Sequence, residues 1–315
     1  MSSGARSCKR LKELRKIRSL LKILLLLILF FPNCPFILSA RATEVQTIVA
    51  RSGDTFELRY RSLQPGEPLI LFWNNKVSDY VNIFFLENFY QLKKEAERKQ
   101  FLILGLDLMV KPGPKNLQLE LWSDGQEVEK IDLSLNVLAK EFPKIKLKVD
   151  QKYVTPPKEF QERIKREAEL LDHIYSITRP EWLAEGSFIS PCEGKLFPNF
   201  GQQRIYNNVP RSVHSGVDIA VPFGHPIKAA NSGLVVLASE LYFSGKTVII
   251  DHGLGLFSSY SHLSRLLVKR AEKVKAGQVI GLAGSTGLST GPHLHWAIRI
   301  NKIRVDPLAL MELEF

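Results

Sequence analysis

The chain has 315 residues, 45% of them hydrophobic, with a formal net charge of +11. That length allows two domains plus a targeting segment, and that apolar share excludes a disordered chain. Nine of the 43 Lys and Arg lie within residues 1–42, opposed there only by Glu13, which leaves a net of +3 on the remainder and removes the case for a nucleic-acid partner.

The basic N-terminus leads into the apolar run Ile23–Phe31, broken by Pro32-Asn33 and followed by small residues. This pattern predicts a secretory signal over 1–42, cleaved after Ala40-Arg41-Ala42. The run is shorter than the roughly 20 residues of a membrane span. An uncleaved anchor using residues 23–38 is the alternative, and contact with a membrane is expected only through this segment. Either way the bulk of the chain is exported, to the periplasm or cell envelope. Cys8 and Cys34 fall in this segment and leave Cys192 without a partner for a disulfide.

Residues 44–150 read as short strands, among them Phe56–Ser62, Pro68–Trp73, Leu117–Trp122 and Lys130–Val137, punctuated by Pro65-Gly66 and Pro112-Gly113. They predict a small β-sandwich-like domain with no histidine and no catalytic cluster. A scaffold or binding role is expected for it. Residues 151–181 predict a linking helix, with Thr155 as its cap and Pro156-Pro157 in its first turn. Phe160, Ile164, Ala168 and Leu171 repeat about every four residues and give it an apolar stripe. His173, near its end, reads as a surface residue.

From Trp182 to the end, β-branched and aromatic runs separated by glycine predict a second β domain, residues 182–315. Six of the seven histidines fall there. The first is in HSGVDIA, where His214 and Asp218 are four apart. Imidazole and carboxylate are zinc ligands, and a catalytic zinc commonly keeps three of them. In GPHLHWAI, His293 and His295 are two apart, so on a strand both project from one face. Each string is weak alone. Together with YSHLS around His262 they are much stronger.

These strings, with GSTGLSTGPHLHWAI and the framing glycines of FPNFGQQR and IDHGLG, resemble the catalytic domain of lysostaphin-type (LytM-domain) zinc endopeptidases. The resemblance covers Gly186 to Leu310. The layout of the preceding region is similar to that of exported Gram-negative members. The resemblance implies an antiparallel β catalytic domain with Zn2+ held by His214, Asp218 and His295. It implies His293 as the catalytic histidine and His262 as its partner, orienting water or stabilising the oxyanion. His252 matches a structural position, and His225 reads as loop surface. Arg204 and Tyr206 are candidates for lining a substrate groove.

The implied activity is zinc-dependent hydrolysis of peptidoglycan stem peptides or cross-links, with a D,D-endopeptidase favoured. The alternative is a non-catalytic wall-binding or amidase-activating module. The N-terminal domain either folds back over the groove and restrains it or tethers the enzyme.

Overall fold

The computed structural model describes residues 43–94 and 100–315. The expected signal or anchor, residues 1–42, lies outside them. Among the described residues no helix is long and apolar enough to cross a membrane.

Eight antiparallel strands come first: β1 (Glu44–Val49), β2 (Thr55–Tyr60), β3 (Pro68–Asn74), β4 (Tyr80–Phe85), β5 (Asn88–Lys93), β6 (Gln100–Gly105), β7 (Gly113–Ser123) and β8 (Gln126–Val137). They form two four-stranded sheets, ordered β1-β2-β3-β6 and β5-β4-β7-β8. Alternation explains the first core. Phe56 and Leu58 of β2, Leu71 and Trp73 of β3, and Ile83 and Leu119 of the other sheet share one buried cluster. This is the expected sandwich.

β3 departs from alternation, since Pro68 to Trp73 are all buried. A strand apolar on both faces is covered on both. Its second face, Ile70 and Phe72, packs against Leu313 and Phe315 at the C-terminus. Ile103 of β6 likewise enters the core of the C-terminal part. Polar contacts fix this junction. Arg61 reaches Glu67 at 2.6 Å and Glu312 at 3.2 Å. Arg304 grips Asp107 through Nη2 and Nε at 2.6 and 3.0 Å. At Gly66, where φ is positive, an added Cβ would run into the Phe200 ring, so the backbone of the sandwich approaches where only glycine fits.

β9 (Lys144–Leu147) pairs in parallel with β11 (Gln203–Tyr206), and β12 (Val209–Val213) closes that small sheet. The expected boundary at residue 150 therefore falls after a strand already paired with the C-terminal part. Next come α1 (Gln151–Val154) and α2 (Lys158–Ser176). Thr155 does not cap α2. It closes α1, and α2 begins after Pro157 with no side-chain cap. The fixed φ of proline sets the first turn instead. The stripe on α2 continues past Leu171 to Ile174 and Tyr175, its buried residues, while Ala168 and His173 are exposed.

The remaining strands are β10 (Lys195–Phe197), β13 (Val217–Ala220), β14 (Pro226–Lys228), β15 (Gly233–Leu241), β16 (Gly245–Asp251), β17 (Leu256–Leu266), β18 (Lys273–Val274), β19 (Val279–Ala283), β20 (Leu294–Ile300) and β21 (Ile303–Val305), with α3 (Pro307–Met311) last. Their sheet runs β10-β13-β20-β17-β16-β15-β18, with β14, β19 and β21 attached to it. Leu294, Trp296 and Ile298 of β20 join Tyr260 and Val248 in its core. Helix α2 lies on the opposite face, where Ile174 and Tyr175 cluster with Leu241, Ile249 and Phe257.

His252 sits fully buried behind the sheet. Its Nδ1 is 2.7 Å from the Ser232 carbonyl oxygen and its Nε2 is 2.7 Å from Ser258 Oγ. Burial pushes its pKa down to about 4 from an ordinary 6.5. The unfolded chain therefore takes up this proton first as pH falls. The stabilisation from keeping His252 neutral is complete above pH 6.5 and is lost down to about pH 4, a change of about 3 kcal/mol. Denaturant unfolding at about pH 7 and about pH 4.5 should show the native protein losing roughly 2–3 kcal/mol more than His252→Gln. Equal losses would remove His252 as a source of acid sensitivity.

Candidate metal centre

The site is assembled from β13, β17, β20 and the segment ahead of β13. Asp218 of β13 stands directly opposite His295 of β20 in an antiparallel register. His214 precedes β13 and is held by a backbone bond from Gly201 to its carbonyl. His214 Nδ1 lies 3.0 Å from the Asn199 carbonyl oxygen. A carbonyl only accepts, so the proton sits on Nδ1 and Nε2 presents its lone pair. That atom is 2.8 Å from His295 Nδ1 and 3.1 Å from Asp218 Oδ1, and the latter two are 3.0 Å apart.

Three lone-pair atoms so close, two of them imidazole nitrogens, could hold a metal ion. Zinc bonds of about 2.0–2.1 Å in tetrahedral geometry hold ligand atoms roughly 3.3 Å apart, near what is found. His214, Asp218 and His295 are also the group among the described residues able to hold a metal ion. Burial pushes His214 down to about 4, so it is neutral and ready to ligate at neutral pH. Burial acts to raise Asp218, but hydrogen bonding to His214 and His295 outweighs it and holds the carboxyl well below the usual range.

The second carboxylate oxygen of Asp218 is fully committed. Oδ2 accepts from Arg204 Nη2 at 2.7 Å and from Asn199 Nδ2 at 2.9 Å, and Asn199 Oδ1 accepts the Asp218 backbone N–H at 3.1 Å. Arg204 is thus engaged by the Asp218 carboxylate, and Tyr206, 6% exposed, has Ser212 Oγ 3.4 Å from its hydroxyl; neither is among the residues lining the cavity beside His295. By clamping Oδ2, Arg204 and Asn199 leave Oδ1 alone to face the ion. Arg204→Ala or Asn199→Ala should lower zinc affinity roughly 10–100-fold with the fold retained. Competition against a chelating dye measures this, and unchanged affinity in both variants would refute the clamp.

Two more imidazoles stand beside the ligands. His293 Nδ1 is 2.8 Å from the Gly291 carbonyl oxygen, and His262 Nδ1 is 2.8 Å from that of Thr286. Both rings therefore keep their proton on Nδ1 and aim a free Nε2 elsewhere. The rings are 4.8 Å apart, and His293 Nε2 is 3.8 Å from Asp218 Oδ1. His293 and His295 share a face by simple alternation. His262 reaches the same place differently. Ser261 pairs with His295 on the open face, so a regular strand would turn His262 into the core. Instead β17 bulges: Ser261 and His262 together oppose Thr247, between the pairs Lys246–Leu263 and Val248–Tyr260. His262 takes a left-handed φ of 63°.

A groove of about 380 Å³ opens beside His295, between α2 and the open face of the sheet. Ser215, Ser244, Thr247, Ser259 and Ser261 give it a hydroxyl floor, and no residue of the sandwich lines it. His225 lies in the loop before β14, its backbone bonded to Pro222 and Ala283, and is not part of the cluster. Cys192 is buried and its thiol is pushed up to about 11, which leaves it inert.

A His-Asp-His metal set with two further imidazoles on an antiparallel sheet defines a metallopeptidase-type centre. Residues 212–307 match the family described as Peptidase family M23, and this part of the chain is an M23, LytM-type domain. The chain is 40% identical over 105 residues to peptidoglycan DD-endopeptidase ShyA of Vibrio cholerae, covering 33% of this chain and 24% of that protein. It is 41% identical over 99 residues to DD-carboxypeptidase/endopeptidase Mpg of Neisseria meningitidis, covering 31% and 23%. The matched stretch thus spans about a quarter of the length of these curated relatives. A crystal structure of a protein assigned to peptidase M23 from Pseudomonas aeruginosa is 29% identical, with a TM-score of 0.60, over 80% of this chain and 96% of that one. That share is too large for the C-terminal part alone, so the likeness extends into the sandwich.

Proposed function

We propose that this chain is a zinc metalloendopeptidase that hydrolyses peptide bonds of peptidoglycan, acting as a D,D-endopeptidase on cross-links in the cell envelope. The observation that carries the reading is the convergence of His214 Nε2, Asp218 Oδ1 and His295 Nδ1 within 2.8–3.1 Å, beside two imidazoles whose Nε2 atoms are free. Retention of all five side chains argues against a non-catalytic module. The names of the relatives support the substrate class, and the basic, apolar N-terminus supports export.

Zinc bound by His214, Asp218 and His295 would supply Lewis acidity toward the scissile carbonyl and make a water acidic enough to attack at neutral pH. The residues do the rest. His293 accepts the proton of the attacking water at Nε2 and returns it to the leaving amine. Its Nδ1–H donates to the Gly291 carbonyl oxygen throughout and fixes the ring. His262 is neutral with its proton on Nδ1, so its Nε2 accepts a hydrogen bond and orients the water. Of the two roles open to His262 from the sequence, this tautomer favours the first. A peptide laid extended along β20 would run through the groove past His295, Ala297 and Arg299.

The test is digestion of defined cross-linked muropeptides by the purified chain, with products identified by mass. Cleavage between D-configured residues is expected, abolished by a chelator and restored by zinc. Metal-replete protein that leaves every cross-linked dimer intact would overturn the reading.

A further inference from the structure

His295, Ala297 and Arg299 of β20 face the groove in succession, two residues apart. At 3.3 Å per residue, Arg299 stands roughly 13 Å along the strand from the metal-ligating end. Its guanidinium lies 4.7 Å over the ring of Tyr175 from α2. Nη1 reaches the Lys302 carbonyl oxygen at 3.2 Å, and the guanidinium also hydrogen-bonds the Tyr175 side chain. Among the described residues no carboxylate pairs with it. The other charges at this end, Lys302 and Asp172, pair with each other at 2.7 Å. The end of the groove is therefore left with one uncompensated positive charge, half-buried and held in a fixed plane by an aromatic face. The hydroxyl floor between it and the histidines is neutral. A guanidinium fork in this setting is a receptor for a carboxylate.

We propose that Arg299 is a specificity-determining residue that binds a free carboxylate of the peptide substrate roughly 13 Å along the groove from the metal-ligating end. The proposal rests on the peptidase reading of this groove. Its spacing excludes one source: the terminal carboxylate released by a carboxypeptidase cut lies within one residue of the bond broken, far short of Arg299. Stem peptides carry free carboxylates elsewhere, on the glutamyl and diaminopimelyl residues, and either has the required chemistry.

The probes are a cross-linked dimeric muropeptide and two analogues, one amidated at the glutamyl and one at the diaminopimelyl carboxylate. With the zinc-loaded protein, KM should rise roughly tenfold on the analogue whose bound carboxylate is lost, with kcat little changed. The affected analogue identifies the source. Arg299→Gln should show the raised KM on all three, and Arg299→Lys, which keeps the charge, should recover part of the preference. Equal KM for all three with the native protein, or a preference that survives Arg299→Gln, would overturn the proposal while leaving the peptidase reading intact. If the native protein cleaves none of them, the peptidase reading fails. Calorimetric binding of the same three peptides then decides the role of Arg299, since the preference should still be present in the native protein and absent in Arg299→Gln.

Discussion

Alanine at Asp218 is expected to empty the site of zinc and to abolish hydrolysis. The loss goes beyond one of three ligands. Asp218 sets a negative charge beside two imidazole nitrogens that lie 2.8 Å apart, and it neutralises Arg204 at 2.7 Å. Without it an ion would have to bind two neutral nitrogens beside an unpaired guanidinium. Removing one ligand leaves an incomplete shell. The remaining charge repels the ion as well, so affinity should fall by more than roughly the 100-fold that marks loss of an outer contact. His214→Ala and His295→Ala should also lose metal, but less completely, because the carboxylate remains. Elemental analysis of the purified variants, beside a muropeptide assay, reads both effects. Any of the three with full zinc occupancy and native turnover would remove that residue from the ligand set.

His293→Ala should behave in the opposite way, keeping its zinc while turnover drops roughly 10²–10⁴-fold. The ligand triangle does not include this ring. Its Nε2 is 3.8 Å from Asp218 Oδ1, outside hydrogen-bonding range, and its Nδ1 is tied to Gly291. What disappears is the base that moves the proton, not the ion. The loss should fall mainly on kcat, since the hydroxyl floor and Arg299 still hold the peptide. His262→Ala should show the same pattern with a smaller loss, because its partner can still transfer the proton. Metal analysis beside steady-state kinetics separates the two classes of histidine. An empty site in His293→Ala would make it a ligand.

The residues that converge at the candidate metal centre were legible because each is announced by a short string: HSGVD, SHL and GPHLH. Period-two geometry accounts for His293 and His295 as a pair. It fails for His262, whose position depends on a bulge that no local pattern reveals, since YSHLS reads equally well as a regular strand. Arg204 stood out in the sequence as a groove residue. Its bond to Asp218 arises because β11 and β13, separated by a turn and another strand, meet in space. Asn199 carried no signal beyond its place in FPNFG. For the linking helix the stripe was readable, but not the surface that receives it. The apolar run Pro68–Trp73 held one further clue. Six consecutive buried residues implied a partner for both faces of β3, and that partner turned out to be the chain's own C-terminus.

The left-handed backbone at His262 bears on how this protein could be engineered. A side chain other than glycine in that conformation costs on the order of 1–3 kcal/mol. A library selected for heat resistance alone would be drawn to this position, because glycine there relaxes the backbone and asparagine tolerates it better. Survivors would melt higher and cleave poorly. Directed evolution of this scaffold therefore needs turnover in every round of screening, since at residue 262 thermal robustness and chemistry are selected in opposite directions.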